Sequence, residues 1–118
     1  MIHKNIIVLL VACLFLLVSC APQANFDIRG KWEYTMTASD GNTYDAGSIT
    51  FEGQTVSGTY LQVNIYEVEY EGEFTVSGTA LKLTGYETWE GEIADANTIE
   101  GTWSHDDGFS GVFIAIRK

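Results

Sequence analysis

Cysteine and proline are scarce in this chain of 118 residues, which has two cysteines and one proline. Cys13 lies within an apolar run near the N-terminus and Cys20 follows that run closely, so the rest of the chain has no cysteine pair for a disulfide. A small domain without disulfides relies on its hydrophobic core for stability. Because Pro22 is the only proline, none interrupts a strand in the remainder of the chain.

Basic residues are also few, since 6 lysines and arginines stand against 16 aspartates and glutamates and give a net charge of −10. An acidic surface repels phosphate groups, so we expect no nucleic-acid binding. Basic proteins and cationic small molecules are the partners that this charge permits. The acidity also has a simpler interpretation, in which it only keeps an exported domain soluble.

Long apolar stretches are confined to the N-terminus. Residues 6–18 form an unbroken apolar run after Lys4, which is typical of the hydrophobic region of a secretory signal peptide. As a helix this run would extend about 20 Å, whereas the hydrocarbon core of a bilayer is about 30 Å thick. A stable transmembrane helix is therefore not expected here.

The sequence LVSC, residues 17–20, ends this run and resembles the lipobox of bacterial lipoproteins. The resemblance implies cleavage after Ser19, acylation of Cys20 and attachment of the protein to a membrane through that lipid. Ala21 stands where an aspartate would be the inner-membrane signal, which implies the outer membrane in a host that has one. An ordinary secretory peptide that happens to end in cysteine is the alternative. We therefore divide the chain into a signal peptide (1–19), a lipidated tether (20–26) and one domain (27–118).

The domain has the pattern of a β protein throughout. Thr, Val, Ile, Tyr and Trp alternate with polar residues between glycine-containing turn signals spaced about 8 to 12 residues apart, and no long window has a helical period. Eight strands joined in sequential order by tight turns predict an up-and-down antiparallel β-barrel. Closing such a sheet removes its exposed edges.

The stretch YEVEYEGEF, residues 66–74, sets a glutamate at every second position. On a strand these four side chains share one face, and aromatic and apolar residues take the other. Four buried carboxylates would need paired cations, and only five lysines and arginines follow the signal peptide. We therefore interpret the glutamates as a solvated face of the fourth strand and place Tyr66, Val68, Tyr70, Phe74 and Val76 inside. An acidic docking surface and acid–base chemistry are the alternatives.

The two ends of the domain are similar to those of the lipocalin and avidin-like superfamily. The first strand opens with GKW (30–32), the last reads GVFIAIRK (111–118), and VSGTYLQV (56–63) resembles the third strand of avidin-like proteins. The resemblance implies that Trp32 lies at the closed end of the barrel and that Arg117 lies across it. The polar side chains with which avidin-like proteins bind their ligand have no match here, and lipocalins have longer strands. The interior is therefore either a ligand cup or filled with side chains.

The proposed position of Arg117 fixes the orientation of the last strand. If Arg117 points inward, Gly111, Phe113 and Ala115 do so too, and an outward apolar stripe forms from Val112, Ile114 and Ile116. Such a stripe needs a cover, which Phe26 and Ile28, a second copy of the chain or another partner would provide. The opposite orientation buries the stripe and leaves Arg117 in solvent.

Motifs for catalysis or metal binding are missing. The segment SHDDG (104–108) has His105 next to two aspartates, and DGNTYD (40–45) partly matches a calcium loop, but neither has the remaining ligands that a site would need. The sequence contains no nucleophile elbow, phosphate loop or Cys–His pair. We interpret both segments as turns and expect no enzymatic activity, metal or cofactor.

Two functions from different classes fit these observations. In the first, a lipid-anchored barrel binds a small apolar or aromatic ligand, with walls formed by Tyr34, Tyr60, Tyr70, Trp89 and Trp103. In the second, the barrel is filled and serves as an interaction or inhibitor module of the cell envelope, whose acidic surface docks a basic protein. The packing of the interior discriminates between them.

Overall fold

The computed structural model describes residues 26–118, which form one closed antiparallel barrel. Each strand pairs with the next along the chain, and the last returns to the first. The prediction of an eight-stranded up-and-down barrel is confirmed. The strands are β1 (Gly30–Ala38), β2 (Thr43–Gly53), β3 (Ser57–Asn64), β4 (Glu69–Ser77), β5 (Ala80–Thr84), β6 (Thr88–Asp95), β7 (Thr98–Ser104) and β8 (Ser110–Arg117).

The signal peptide, Cys20 and all but the last residue of the tether lie outside the described residues. That last residue, Phe26, packs against the hydrophobic core. In the described part of the chain, no helix is long and apolar enough to cross a membrane.

The two-residue alternation of the strands divides the barrel into a buried inner face and an exposed outer face. On β1, for example, Trp32, Tyr34 and Met36 are buried, while Glu33 and Thr35 between them are exposed. The other strands follow the same rule, so one core runs through the lumen. Its members include Ile49, Phe51, Tyr60, Phe74, Leu81, Leu83, Trp89, Ile93, Ile99, Trp103 and Phe113.

Glycines on the inner face make room for aromatic rings. A Cβ at Gly72 would lie 2.5 Å from the hydroxyl of Tyr60, and one at Gly91 would lie 2.9 Å from Cζ of Phe113. A side chain at either position would collide with the ring opposite. These glycines allow a narrow barrel to hold large aromatic residues.

One end of the barrel is closed by the N-terminal segment and Arg117. The guanidinium carbon of Arg117 lies 4.4 Å from the centre of the Trp32 ring. The indole N–H of Trp32 donates a hydrogen bond to the carbonyl of Ile28 at 2.8 Å, and Ile28 is fully buried. Arg117 therefore points inward, as the orientation implied by the resemblance requires.

This orientation leaves the apolar stripe of β8 on the outer wall, where Val112, Ile114 and Ile116 are exposed. Phe26 and Ile28 do not cover the stripe, because both pack against the core. The first of the three covers considered for it is therefore wrong.

The fourth strand begins later than the sequence predicted. Tyr66 is 78% exposed and Val68 is also exposed, so placing them on the inner face was wrong. The side chain of Asn64 accepts hydrogen bonds from the backbone N–H groups of both residues, at 2.9 and 3.0 Å, and Glu67 has a φ of 64°. This Asx turn reverses the chain, so the strand starts only at Glu69.

Candidate binding site at the open end of the barrel

The second end of the barrel collects four connections. Because every strand is antiparallel to its neighbours, residues 39–42, 65–68, 85–87 and 105–109 all lie at the end opposite Trp32. We call this the open end. It holds two groups of side chains, one aromatic and one polar.

Four aromatic residues, which we call the aromatic rim, lie at the open end: Tyr44, Tyr70, Tyr86 and Phe109. Tyr86 stacks on Tyr70 with ring centroids 4.6 Å apart and planes 25° apart. Tyr44 stacks on the buried Trp103 at 4.3 Å and 24°, and Phe109 lies 6.1 Å from Tyr44. Tyr44, Tyr86 and Phe109 are exposed, whereas Tyr70 is half-buried. The rim thus presents aromatic surface to solvent beside a filled lumen.

A hydrogen-bonded chain of polar side chains lies below the aromatic rim. The amide Nε2 of Gln62 donates to the hydroxyl of Tyr34 at 3.1 Å, and that hydroxyl donates to Oδ2 of Asp45 at 3.1 Å. Gln62 is buried and Asp45 is half-buried. Burial raises the pKa of the Tyr34 hydroxyl well above its usual value, so the group keeps its proton and remains a donor.

Glu87 is the one buried acidic residue among residues 26–118, with only 5% of its surface exposed. Its Oε2 atom has no hydrogen-bond partner in the described chain. Burial, with contributions from the nearby Asp45 and Asp107, raises the pKa of its carboxyl to about 7, while His105 and a hydrogen bond from Trp89 oppose the shift. Near neutral pH this carboxyl therefore exists in both protonation states.

Other titratable groups respond to the same environment. Burial, with a contribution from Glu87, raises the pKa of Tyr60 to about 12. Nδ1 of His105 lies 2.7 Å from Oδ1 of Asp107, and the imidazole packs edge-on against Tyr86 at 4.7 Å. Within residues 26–118, no group of three His, Cys, Asp or Glu side chains is arranged to hold a metal ion.

The residues predicted to line a ligand site lie at different depths. Tyr34, Tyr60, Trp89 and Trp103 are buried and fill the lumen, where the Trp89 ring lies 5.4 Å from Tyr34. Tyr70 alone of the predicted five is half-buried and reaches the aromatic rim. Trp32 and Arg117 lie at the other end of the barrel. The structure therefore has a packed interior rather than a deep cup.

Sequence reasoning missed Gln62 and Glu87 at the open end, and it interpreted the segments that contain Asp45 and His105 only as turns. Asp45, Gln62, Glu87 and His105 all keep the inward phase of their strands, two residues from Gly47, Tyr60, Trp89 and Trp103 respectively. A polar side chain that continues the inward phase toward the open end of a strand is the signal that could have found them.

Comparisons with known proteins identify the architecture. No protein-family model matches the chain, and no curated protein sequence has a significant match to it. A redesigned beta barrel, b11L5F_LGL, matches with a TM-score of 0.64 and 16% identity over 77% of this chain and 91% of its own. A fluorescence-activating beta barrel designed de novo matches with a TM-score of 0.58 and 17% identity, covering 78% and 94% of the two chains. The structure of EF1p2_mFAP2b bound to DFHBI matches with a TM-score of 0.60 and 15% identity, covering 77% and 94%. At this identity the likeness shows the fold, a small closed eight-stranded barrel.

Proposed function

We propose that this protein binds a small aromatic or apolar molecule at the open end of its barrel. The aromatic rim carries the proposal. Its rings lie together at one end of the barrel, beside a buried polar set that can orient a ligand. Clustered exposed apolar surface with a few convergent polar groups is characteristic of binding sites.

The packing of the lumen determines how deeply the ligand enters. Trp89 and Trp103 are almost fully buried, so a ligand contacts the two stacked pairs of the rim and does not reach the closed end. Of the predicted walls, Tyr70 contacts the ligand directly. Trp103 contacts the ligand only indirectly, through Tyr44. The buried side chains that pack beneath the site are those of Tyr34, Tyr60 and Trp89.

The designed barrels support the proposal at the level of architecture. The structures of EF1p2_mFAP2b and of two further redesigned barrels, mFAP1 and mFAP0, are all of barrels bound to DFHBI. A barrel of this size thus has room for a small-molecule site.

We propose further that the protein acts at the bacterial cell envelope, anchored through a lipidated Cys20 and located at the outer membrane in a host that has one. The sequence LVSC after the apolar run supports this proposal. Two lipid chains suffice for stable anchoring, since one gives only marginal binding. Mass spectrometry of the mature protein is expected to show an acylated N-terminal Cys20. A mature chain that retains residues 1–19 would contradict the proposal, and Cys20→Ser is expected to abolish acylation.

A second function is favoured by the packed interior, because a filled barrel needs no ligand to be stable. In this second function, a basic protein docks on the outward-facing glutamates of β4, which are Glu69, Glu71 and Glu73. This interaction module would bind its partner on the outer wall rather than at the open end.

Native mass spectrometry of the mature protein purified from its own host tests the first function. We expect a small molecule to co-purify, and the Tyr44→Ala and Tyr86→Ala variants to lose it. Leu61→Ala, which truncates an exposed apolar residue of the outer wall, is the control and is expected to retain it. If no small molecule is found, and intrinsic Trp fluorescence does not respond to aromatic probes, the first function is wrong.

A further inference from the structure

One oxygen of the buried Glu87 carboxylate has no hydrogen-bond partner among the described residues. Glu87 lies in the turn between β5 and β6, only 5% of its surface is exposed, and Oε2 accepts no hydrogen bond within residues 26–118. Buried polar atoms are almost always hydrogen-bonded, and buried carboxylates are normally paired with a cation. Oε2 is therefore free to accept a hydrogen bond from a donor outside the described chain.

No basic side chain of residues 26–118 other than His105 is placed to be such a donor. The lysines and arginines lie elsewhere: Arg29 pairs with Asp27, Arg117 covers Trp32, and Lys118 pairs with Glu33, all at the closed end. Lys31 is at the start of β1, at the same end, and Lys82 faces outward from β5 opposite Glu90. The described lysines and arginines are thus kept away from the open end.

The groups that face Glu87 favour a positive charge. Asp45 and Asp107 raise the pKa of Glu87, so the open end is an acidic environment, and His105 is its only basic neighbour among the described residues. Tyr34, Tyr44, Tyr60 and Tyr70 also sense the charge of Glu87, because that charge raises the pKa of each hydroxyl. Tyrosine rings attract cations through their faces.

From this arrangement we infer that the open end selects small molecules that carry an ammonium group, which pairs with the free carboxylate oxygen of Glu87 while the apolar part of the ligand contacts the aromatic rim. The inference rests on the proposed function and adds the chemical class of the ligand. A charge-assisted hydrogen bond to a buried carboxylate is among the stronger contacts available to a small molecule.

A matched set of probes tests the charge preference. We would titrate the mature protein at pH 8 with 2-phenylethylammonium, with neutral 2-phenylethanol and with anionic 3-phenylpropanoate, and follow binding by calorimetry and by the NMR signals of the aromatic rim. We expect the ammonium compound to bind at least about tenfold more tightly than the alcohol, and the anion to bind most weakly.

Two glutamine variants locate the charge that gives the preference. Glu87→Gln is expected to bring binding of the ammonium compound down to that of the alcohol, so that the preference for the charged probe is lost. Glu90→Gln removes the same charge from the outer face of β6 and is expected to keep the preference. If Glu87→Gln also keeps the preference for the ammonium compound, the role proposed for Glu87 is wrong.

The pH dependence gives a second readout that needs no variant. The ammonium group of the probe stays charged from pH 5 to 8, whereas Glu87 takes up its proton as the pH falls through about 7. The preference is therefore expected to weaken toward pH 5, and bound ammonium compound is expected to lower the pKa of Glu87.

The outcomes separate this inference from the proposed function. Equal binding of the ammonium compound and the alcohol would overturn the inference and leave the proposed function standing. If none of the three probes binds and the rim signals do not move, the proposed function fails and the inference fails with it.

Discussion

Arg117 lies over the ring of Trp32, with its guanidinium carbon 4.4 Å from the ring centre, and so joins the last strand to the first. The same guanidinium donates hydrogen bonds to the carbonyls of Ala96 at 2.9 Å, Asp27 at 2.7 Å and Arg29 at 3.1 Å. One side chain therefore ties together the N-terminal segment, the β6–β7 turn and β1.

Replacing Arg117 by alanine removes the cation–π contact and these hydrogen bonds together. We expect a loss of about 2 kcal/mol in the free energy of unfolding, measured by chemical denaturation. Arg117→Lys keeps the charge but loses the planar fork and is expected to fall between alanine and wild type. Lys118→Ala, which removes an exposed ion pair with Glu33, is the control and is expected to change stability by less than about 0.5 kcal/mol. Equal effects at the two positions would contradict the closing role of Arg117.

The barrel was predictable from the sequence because its signal is local. Alternation of Trp32, Tyr34 and Met36 with polar residues fixes the face of a strand without knowledge of any other strand. Alternation fails to predict the structure where a side chain stabilises a turn through hydrogen bonds to the backbone. At Asn64 the inward phase runs on through Tyr66 and Val68 in the sequence, but the Asx turn ends it.

The candidate site was less predictable because it forms only when the barrel closes. Tyr44, Glu87 and Phe109 are far apart in the sequence, and each lies near a turn whose conformation alternation does not determine. Only the antiparallel order of all eight strands brings these turns to one end. The predicted walls Tyr34, Tyr60, Trp89 and Trp103 had the correct phase, but phase does not say how deep in the lumen a ring lies.

Gly91 and Phe113 fill one space between them. A methyl group at Gly91 would lie 2.9 Å from Cζ of Phe113, so Gly91→Ala is expected to destabilise the barrel by about 1 to 3 kcal/mol. Phe113→Leu removes the ring that collides with it and costs about 1 to 2 kcal/mol alone. The double variant is expected to be more stable than the sum of the two losses implies, as a double-mutant cycle would show. Additive losses would mean that the two residues do not share this space.

Neighbouring residues of β8 face opposite sides of the wall. Ile114 is exposed on the outer stripe, whereas Phe113 is buried. Ile114→Thr is therefore expected to change the free energy of unfolding by less than about 1 kcal/mol, since threonine is also a good strand residue. Phe113→Thr is expected to cost about 3 kcal/mol or more. A larger loss for Ile114→Thr than for Phe113→Thr would contradict this orientation of the strand.

Glu87 links the stability of the barrel to pH. The folded state holds its carboxyl proton up to a pKa of about 7, whereas the unfolded chain releases it near the usual value of 4.5. Between these values the folded state binds more protons, so the contribution of Glu87 to stability falls as the pH rises through this window. The difference between the two pKa values corresponds to a loss of roughly 3 kcal/mol in the free energy of unfolding.

The glutamine side chain of Glu87→Gln cannot ionise, so this variant is not expected to lose stability as the pH rises. Relative to wild type, its free energy of unfolding is expected to be unchanged near pH 4 and higher by about 2 to 3 kcal/mol at pH 8. All other residues are the same in the two proteins, so the difference between the two pH profiles isolates position 87. Glu90→Gln, on the outer face of β6, is expected to show no such rise. A difference between Glu87→Gln and wild type that stays constant from pH 4 to 8 would mean that the Glu87 carboxyl ionises as easily in the folded barrel as in the unfolded chain.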